Sequence, residues 1–422
     1  MRITVLAAGS RGDIQPYFAL GVGLQSAGHR VRFAAFRNFA SLVNAYDLDF
    51  APVEADFQAI MGGQDGQGMV ASGSNFFQLA RGIGRTVGPI LTQIGNDFWL
   101  ACQDTEAIIS GLNGVPFFGY EFADKLRAPC INASVVPLSA TRAFANLMWP
   151  LHWRLGGTYN LLTHRIVAFT GWQLFGKAIN QWRQATLTLP PISRQSAYRR
   201  ITQMPMLFGL SPQVFPKPVD WPAYFHVSGY WFLPRPIDWR PSGDLARFLA
   251  AGEPPVCFSF GSMTDRHSAD LTQIVIEAQR QLKRRCILVT AWGGLQAIEK
   301  SDQMFVIDHV PFDWLWPQCA VVVHHGGSGA TSAGLRAGVP SLVVAFMADQ
   351  PFWGRRVFEL GCGPRPILRK QLTVDRLVAA VEQALTDQVM QQRAARIGQQ
   401  IRSEDGIVRA VQLFEQIAAE SG

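Results

Sequence analysis

The sequence predicts an α/β protein built from two doubly wound parallel-sheet domains. Three observations carry this. The chain opens as strand, loop, helix, strand. The same alternation restarts beyond residue 241. Between the two, over 211–241, prolines are dense enough to interrupt regular structure. A length of 422 residues also favours two domains over one.

Taken in order, 2–8 reads as a strand, with Ile3, Val5 and Leu6 apolar and Gly9 ending the run. Residues 9–16 form the loop after it. Residues 17–27 read as a helix with Gly28 beyond its end, and 29–35 as the next strand. Glycines at 60–75 predict a flexible loop, 76–102 is mostly helical, and 107–110 and 129–133 are further strands. Residues 139–200 read as two or more helices that break the alternation. In the second half, 256–260 is a strand, 268–282 a helix, 286–290 a strand, and 341–345 another. Helical spacing returns over 375–421. The domains then divide as 1–215, a linker at 216–241, 242–400, and a last helix at 401–422 that returns to the first domain.

The stretch Val321 to Pro340 stands out. Three valines make a buried strand, His324 to Gly329 a glycine-rich turn, and 330–337 a helix stopped by Gly338 and Pro340. A helix start leaves backbone N–H groups unbonded, and glycines let an anion reach them. This predicts a diphosphate seat near residue 329. No G-x-x-x-x-G-K-[ST] occurs, and no G-x-G-x-x-G follows the first strand, so two common nucleotide loops are excluded. A Gly-rich turn that binds nothing is the alternative. In the first half, Asp13 lies where a parallel sheet places its ligands, at a strand's carboxyl end. It reads as a general base or as a helix N-cap ahead of Pro16.

Composition bounds the rest. The chain is 48% hydrophobic and 16% charged, which suits large cores. Its opening apolar run is too short for a secretory leader, and no 18-residue apolar run exists. Six scattered cysteines lack metal spacing and read as reduced thiols of a cytoplasmic protein. The net charge of +7 is uneven: Ser139 to Gln203 holds eight Lys or Arg and no Asp or Glu, with Trp149, Trp153, Trp172 and Trp182 among them. Such interleaving suits peripheral contact with an anionic membrane surface, or else a solvated basic face; no nucleic-acid module accompanies it.

The second half resembles a known family. His324-His-Gly-Gly-Ser-Gly-Ala-Thr331, Arg336-Ala-Gly-Val-Pro340 and Asp349-Gln-Pro-Phe-Trp-Gly-Arg-Arg356 are similar to the nucleotide-sugar signature of family 1 UDP-glycosyltransferases. The similarity is greatest to sterol 3-β-glucosyltransferases and their bacterial relatives, antibiotic glycosyltransferases included. Gly9-Ser-Arg-Gly-Asp-Ile-Gln-Pro16, Phe258-Ser-Phe-Gly-Ser-Met263 and Val310-Pro-Phe-Asp-Trp-Leu-Trp-Pro-Gln318 resemble other segments of that group. The resemblance implies the GT-B fold, with an acceptor-binding first domain and a nucleotide-sugar-binding second one. It also implies inverting transfer of glucose from UDP-glucose to the hydroxyl of an apolar acceptor, a sterol or similar lipid, with no metal or other cofactor. A flavonoid, polyphenol or antibiotic aglycone is the alternative acceptor, and a non-catalytic nucleotide-sugar or lipid-binding protein the alternative class.

The resemblance assigns site residues too. His325 and the backbone of Gly327, Ser328, Gly329, Ala330 and Thr331 would hold the diphosphate, with Ser262 reaching it from another loop. Asp349 and Gln350 would bond sugar hydroxyls, a role compatible with capping a helix. His309 and Val310 lie where relatives hold the base. Asp13 would be the catalytic base, on the loop of Ser10, Arg11 and Gly12. Trp149, Trp153 and Trp172 would line the acceptor.

Overall fold

Short β-branched and apolar runs separated by amphipathic helices organise the chain, because each strand is buried on both faces and needs helices to cover it. A computed structural model describes residues 1–54, 81–82, 84, 90–111, 117–149, 153, 155–236, 238–261, 268–290, 295 and 301–421. The flexible loop expected at 60–75 lies outside these residues, as does most of 76–89. The described residues up to Leu233, together with the stretch from Asp405, form one compact unit, and Pro234–Glu404 a second.

In the first unit, β1 (Arg2–Ala7), β2 (Arg30–Phe36), β3 (Asp49–Val53), β4 (Ala107–Gly111), β5 (Cys130–Ser134), β6 (Met206–Phe208) and β7 (Phe225–Val227) form one parallel sheet. Their order is β3-β2-β1-β4-β5-β6-β7. Its helices include α1 (Arg11–Ser26), α2 (Ala40–Asn44), α3 (Leu91–Ala101), α4 (Phe117–Leu126), α5 (Gly157–Leu187) and α6 (Arg194–Gln203). In the second unit β8 (Val256–Ser259), β9 (Cys286–Val289), β10 (Met304–Ile307), β11 (Val321–His324), β12 (Ser341–Ala345) and β13 (Ile367–Leu368) follow the order β10-β9-β8-β11-β12-β13. Each sheet is thus doubly wound, with the winding reversing beside its first strand.

Helices α7 (Gly243–Ala250), α8 (Ser268–Leu282), α9 (Phe312–Leu315), α10 (Ser328–Ala337), α11 (Gln350–Glu359), α12 (Val374–Thr386) and α13 (Gln388–Arg402) belong to the second unit. Helix α14 (Gly406–Ser421) belongs to the first. There it lies against α1 so closely that a Cβ on Gly23 would come within 2.2 Å of Ile407 Cγ2.

Several elements differ from the sequence reading. The proline-dense stretch holds β7, and the division between units falls after Leu233. Its prolines flank a strand of three residues, too short for them to interrupt. Residues 139–200 do not break the alternation, because α5 and α6 form the crossover from β5 to β6. Helix α1 starts at Arg11 rather than 17 and carries Pro16 inside. The N–H that Pro16 lacks would have met the carbonyl of Gly12, an exposed residue in the first turn where water can replace it.

The acid-free stretch is not one uniform face. Trp182 and Arg183 are buried. Trp182 donates to Asn96 at 2.9 Å, and Arg183 pairs with the buried Glu121. Toward its other end, α5 and the residues before it expose Trp153, Leu155, Leu162 and Phe169, with Arg194 stacked 4.7 Å over the Phe169 ring. Among the described residues no helix is long and apolar enough to cross a membrane.

Candidate active site

Two of the expected site regions fall at the points where the sheets reverse their winding, the crevices in which such sheets bind ligands. In the second unit this point lies between β8 and β11. The loop after β8 begins with Gly261, at φ +61°, and the loop after β11 is His325, Gly326 and Gly327. The His325 ring is fitted between two glycines. A Cβ on Gly261 would lie 3.1 Å from its Cε1, and one on Gly327 would lie 2.6 Å from its Nε2. Either added carbon would have to move the ring. Burial pushes the His325 pKa down to about 4, so the imidazole is neutral at pH 7 and presents one N–H donor.

Gly327 is the N-cap of α10, and it has no side chain to satisfy the helix start. The first intrahelical bond is Thr331 N–H to the Gly327 carbonyl, 2.9 Å. The expected anion seat therefore narrows to the amides ahead of Thr331, at Ser328, Gly329 and Ala330, which precede the helix's own ladder. The Thr331 hydroxyl is buried, and Ala330 packs in the core with Val310, Leu315 and Trp316.

Asp349 and Gln350 follow β12 and open α11. Both have structural duties. Asp349 Oδ2 accepts from Trp353 Nε1 at 2.8 Å. The Gln350 Oε1 accepts the N–H groups of Phe346 at 2.7 Å and Met347 at 3.1 Å. These bonds fix both side chains at the start of α11. His309, exposed after β10, and Val310, buried in the core, are not equivalent, since only the backbone of Val310 can face a base. Ser262 lies outside the described residues.

In the first unit the winding reverses between β1 and β4, and the loop after β1 leads into Ser10, Arg11, Gly12 and Asp13. Asp13 sits in the first turn of α1, not on a free loop. Its Oδ2 accepts from the Ser10 N–H and the Ser10 Oγ, each at 2.8 Å. Gly9, at φ +135°, lets the carboxyl approach: a Cβ there would be 2.7 Å from Asp13 Oδ2. Desolvation raises the Asp13 pKa against the two Ser10 bonds, which makes it a stronger base than a solvated carboxylate. Burial lowers the Arg11 pKa.

Of the three tryptophans, two come together. Trp149 Nε1 donates to the Tyr159 hydroxyl at 3.0 Å, and the exposed Trp153 stacks on the Tyr159 ring with centroids 6.3 Å apart. Trp172 lies further along α5, about 20 Å beyond Tyr159 by helical rise. Tyr159 is the residue that draws the pair together, and nothing in its local sequence marks it. Gly261 lies in a segment that resembles the family, but its contact role shows only once His325 is seen beside it.

Comparison with known proteins matches both halves. Residues 3–92 match the glycosyltransferase family 28 N-terminal domain, and residues 289–413 the erythromycin biosynthesis protein CIII-like C-terminal domain. A sterol 3-β-glucosyltransferase of Aspergillus terreus is 34% identical over 98% of the chain, and one of Pichia angusta 34% over 97%. The chain spans only 30% and 33% of those two proteins' length. Among solved structures, the glycotransferase of kitacinnamycin superposes with a TM-score of 0.71 at 20% identity, covering 99% of both chains. A Streptomyces glycosyltransferase solved with thymidine diphosphate gives 0.62 at 20% identity, covering 99% of both chains. These likenesses show the fold: two parallel doubly wound sheets of the GT-B type, with a domain family matched in each half of the chain.

Proposed function

We propose that this chain transfers glucose, with inversion, from UDP-glucose to a hydroxyl of a flat apolar acceptor, a sterol or similar lipid. The observation that carries the reading is the slot holding His325 beside the start of α10, at the winding reversal of the second sheet. In that reading the diphosphate leaving group gains charge as the sugar departs. The helix N-terminus and the neutral His325 donor take up that charge, with no metal required. Asp349 and Gln350 bond the sugar, and the His309–Val310 backbone borders the base.

Asp13 accepts the proton of the acceptor hydroxyl as that oxygen attacks the anomeric carbon. One displacement inverts the configuration. A carboxylate has little basicity at pH 7, so proton transfer and attack are concerted; the raised pKa favours this. The likeness to sterol glucosyltransferases supports the sterol acceptor. The exposed Trp153, Leu155, Leu162 and Phe169 with Arg165 and Arg194 support cytoplasmic action at an anionic membrane surface.

The test is purified protein with UDP-glucose and, separately, dTDP-glucose, against mixed sterols and flavonoids, read by mass spectrometry. Hexose on sterols with UDP-glucose supports the reading. Hexose on flavonoids or many phenols replaces it with a natural-product transferase. Nucleotide binding without any product or donor hydrolysis overturns catalysis altogether.

A further inference from the structure

His324 precedes His325 and occupies a place where an apolar residue would be cheaper. It ends β11, is 0% exposed, and its backbone pairs with Ser259 of β8 and Val343 of β12. In a strand, alternate residues share a face, so His324 points the same way as Val322, into the core that holds Trp316. Its ring lies nearly parallel to Trp316, with centroids 5.8 Å apart. Burying an imidazole in such a place is unfavourable unless its nitrogens are used.

One nitrogen is used. Nδ1 accepts the N–H of Gly326 at 3.1 Å. An accepting Nδ1 leaves the ring proton on Nε2, which has no partner among the described residues. Burial, and the neighbouring His325, keep the ring neutral and its acceptor available. The amide it holds belongs to the hinge of the loop. Gly326 has φ +86°, and a Cβ there would lie 2.4 Å from Val343 Cγ1. This left-handed turn lies between His325 and Gly327, the residue that forms one side of the slot.

We propose that His324 is a positioning residue for the donor seat: through Nδ1 it clamps the Gly326 amide and so holds His325 in register with the Gly261–Gly327 slot. The assignment of donor binding to that slot rests on the function proposed above, whereas the clamp itself does not. His324 touches no reacting atom, and its effect passes entirely through the loop.

Three variants separate the clamp from simple packing. In His324→Asn the side-chain oxygen can take the place of Nδ1, in His324→Gln it is displaced toward Nε2, and His324→Leu has no acceptor but suits the core. Two readouts are taken on the full chain. One is the ¹⁵N spectrum of the histidine rings without nucleotide, which reports the His324 tautomer and the His325 environment. The other is the Kd for UDP, with thermal stability measured alongside. The expected result is an Nε2–H tautomer for His324 and displaced His325 signals in the Leu and Gln variants. UDP affinity falls about tenfold in these two and is largely recovered in the Asn variant.

Unchanged His325 signals and UDP affinity in His324→Leu would overturn the clamp and leave the donor reading standing. Affinity lost equally in all three, in step with stability, would also overturn it and mark His324 as core packing. If neither UDP nor dTDP binds the wild type while His325 still moves in His324→Leu, the clamp stands and the donor assignment falls.

Discussion

Replacing Gly327 with alanine tests the His325 slot with the least collateral damage. Gly327 has φ −62° and ψ 155°, a conformation open to any residue, so the backbone need not adjust. Alanine is a somewhat poorer N-cap than glycine, at about 0.5 kcal/mol, and reduces the freedom of the unfolded chain by a similar amount. These effects nearly cancel. What remains is steric: the new Cβ would sit 2.6 Å from His325 Nε2, whereas ordinary contact begins near 3.4 Å. The ring must retreat by about 0.8 Å in a tightly packed site.

A shift of that size in a binding group commonly costs between about tenfold and a hundredfold in rate. We expect Gly327→Ala to melt within about 3 °C of wild type while UDP affinity falls about tenfold and kcat/KM up to about a hundredfold. Calorimetric titration, thermal melting and initial rates with UDP-glucose read this directly. Gly326→Ala is the contrast, because φ +86° and the 2.4 Å approach to Val343 should cost about 2–4 kcal/mol of stability. The reasoning is refuted if Gly327→Ala binds UDP and turns over within about twofold of wild type, or if it loses stability as Gly326→Ala does.

Other predictions follow from the same geometry. Asp13→Asn keeps an oxygen to accept from Ser10 but lacks basicity, so turnover should fall about 10²- to 10⁴-fold with UDP binding little changed; near-normal turnover sinks the base assignment. His324 and His325 have folded pKa values pushed down to about 3 and about 4, so the unfolded chain binds their protons more readily. Their contribution to stability is complete above about pH 6.5 and is lost as pH falls, on the order of 3 kcal/mol for His324 by pH 4, so His324→Leu should flatten melting profiles over that window. A profile as steep as wild type would show that His324 does not titrate this way. Arg183→Met strands the buried Glu121 and should cost about 3–5 kcal/mol by urea unfolding, most of it recovered by adding Glu121→Gln; no recovery would mean the pair is not the source.

Most of the framework was legible because its signals are local. The strands at Arg2–Ala7, Val256–Ser259 and Ser341–Ala345 are apolar runs ended by glycine, a loop or a helix start, and the helix at Ser268–Leu282 has clear amphipathic spacing. Five strands lie outside the sequence reading: β6, β7 and β13 have two or three residues with no periodicity of their own and exist only through pairing with neighbours, β3 contains Pro52, and β10 is a run of four. From sequence His324 reads as the start of the turn because it is polar. It is strand because its backbone is bonded on both sides, and the reason for a histidine there lies two residues ahead, at the Gly326 amide. The candidate site was legible as strand ends and glycine turns. What the sequence does not show is which glycines press on which ring, since Gly261 and His325 are brought together only by the pairing of β8 with β11.

The return of residues 405–421 to the first unit bears on how the protein is made. The second unit is in effect an insertion between Leu233 and Asp405. A chain emerging from the ribosome can complete that inserted unit first, while the unit begun by β1 still lacks the helix that covers α1 beside Gly23. The earliest-made half therefore finishes folding last. Lesions, premature stops or bulky fusions after residue 404 should strike the half that carries Asp13 and spare the half that carries His325.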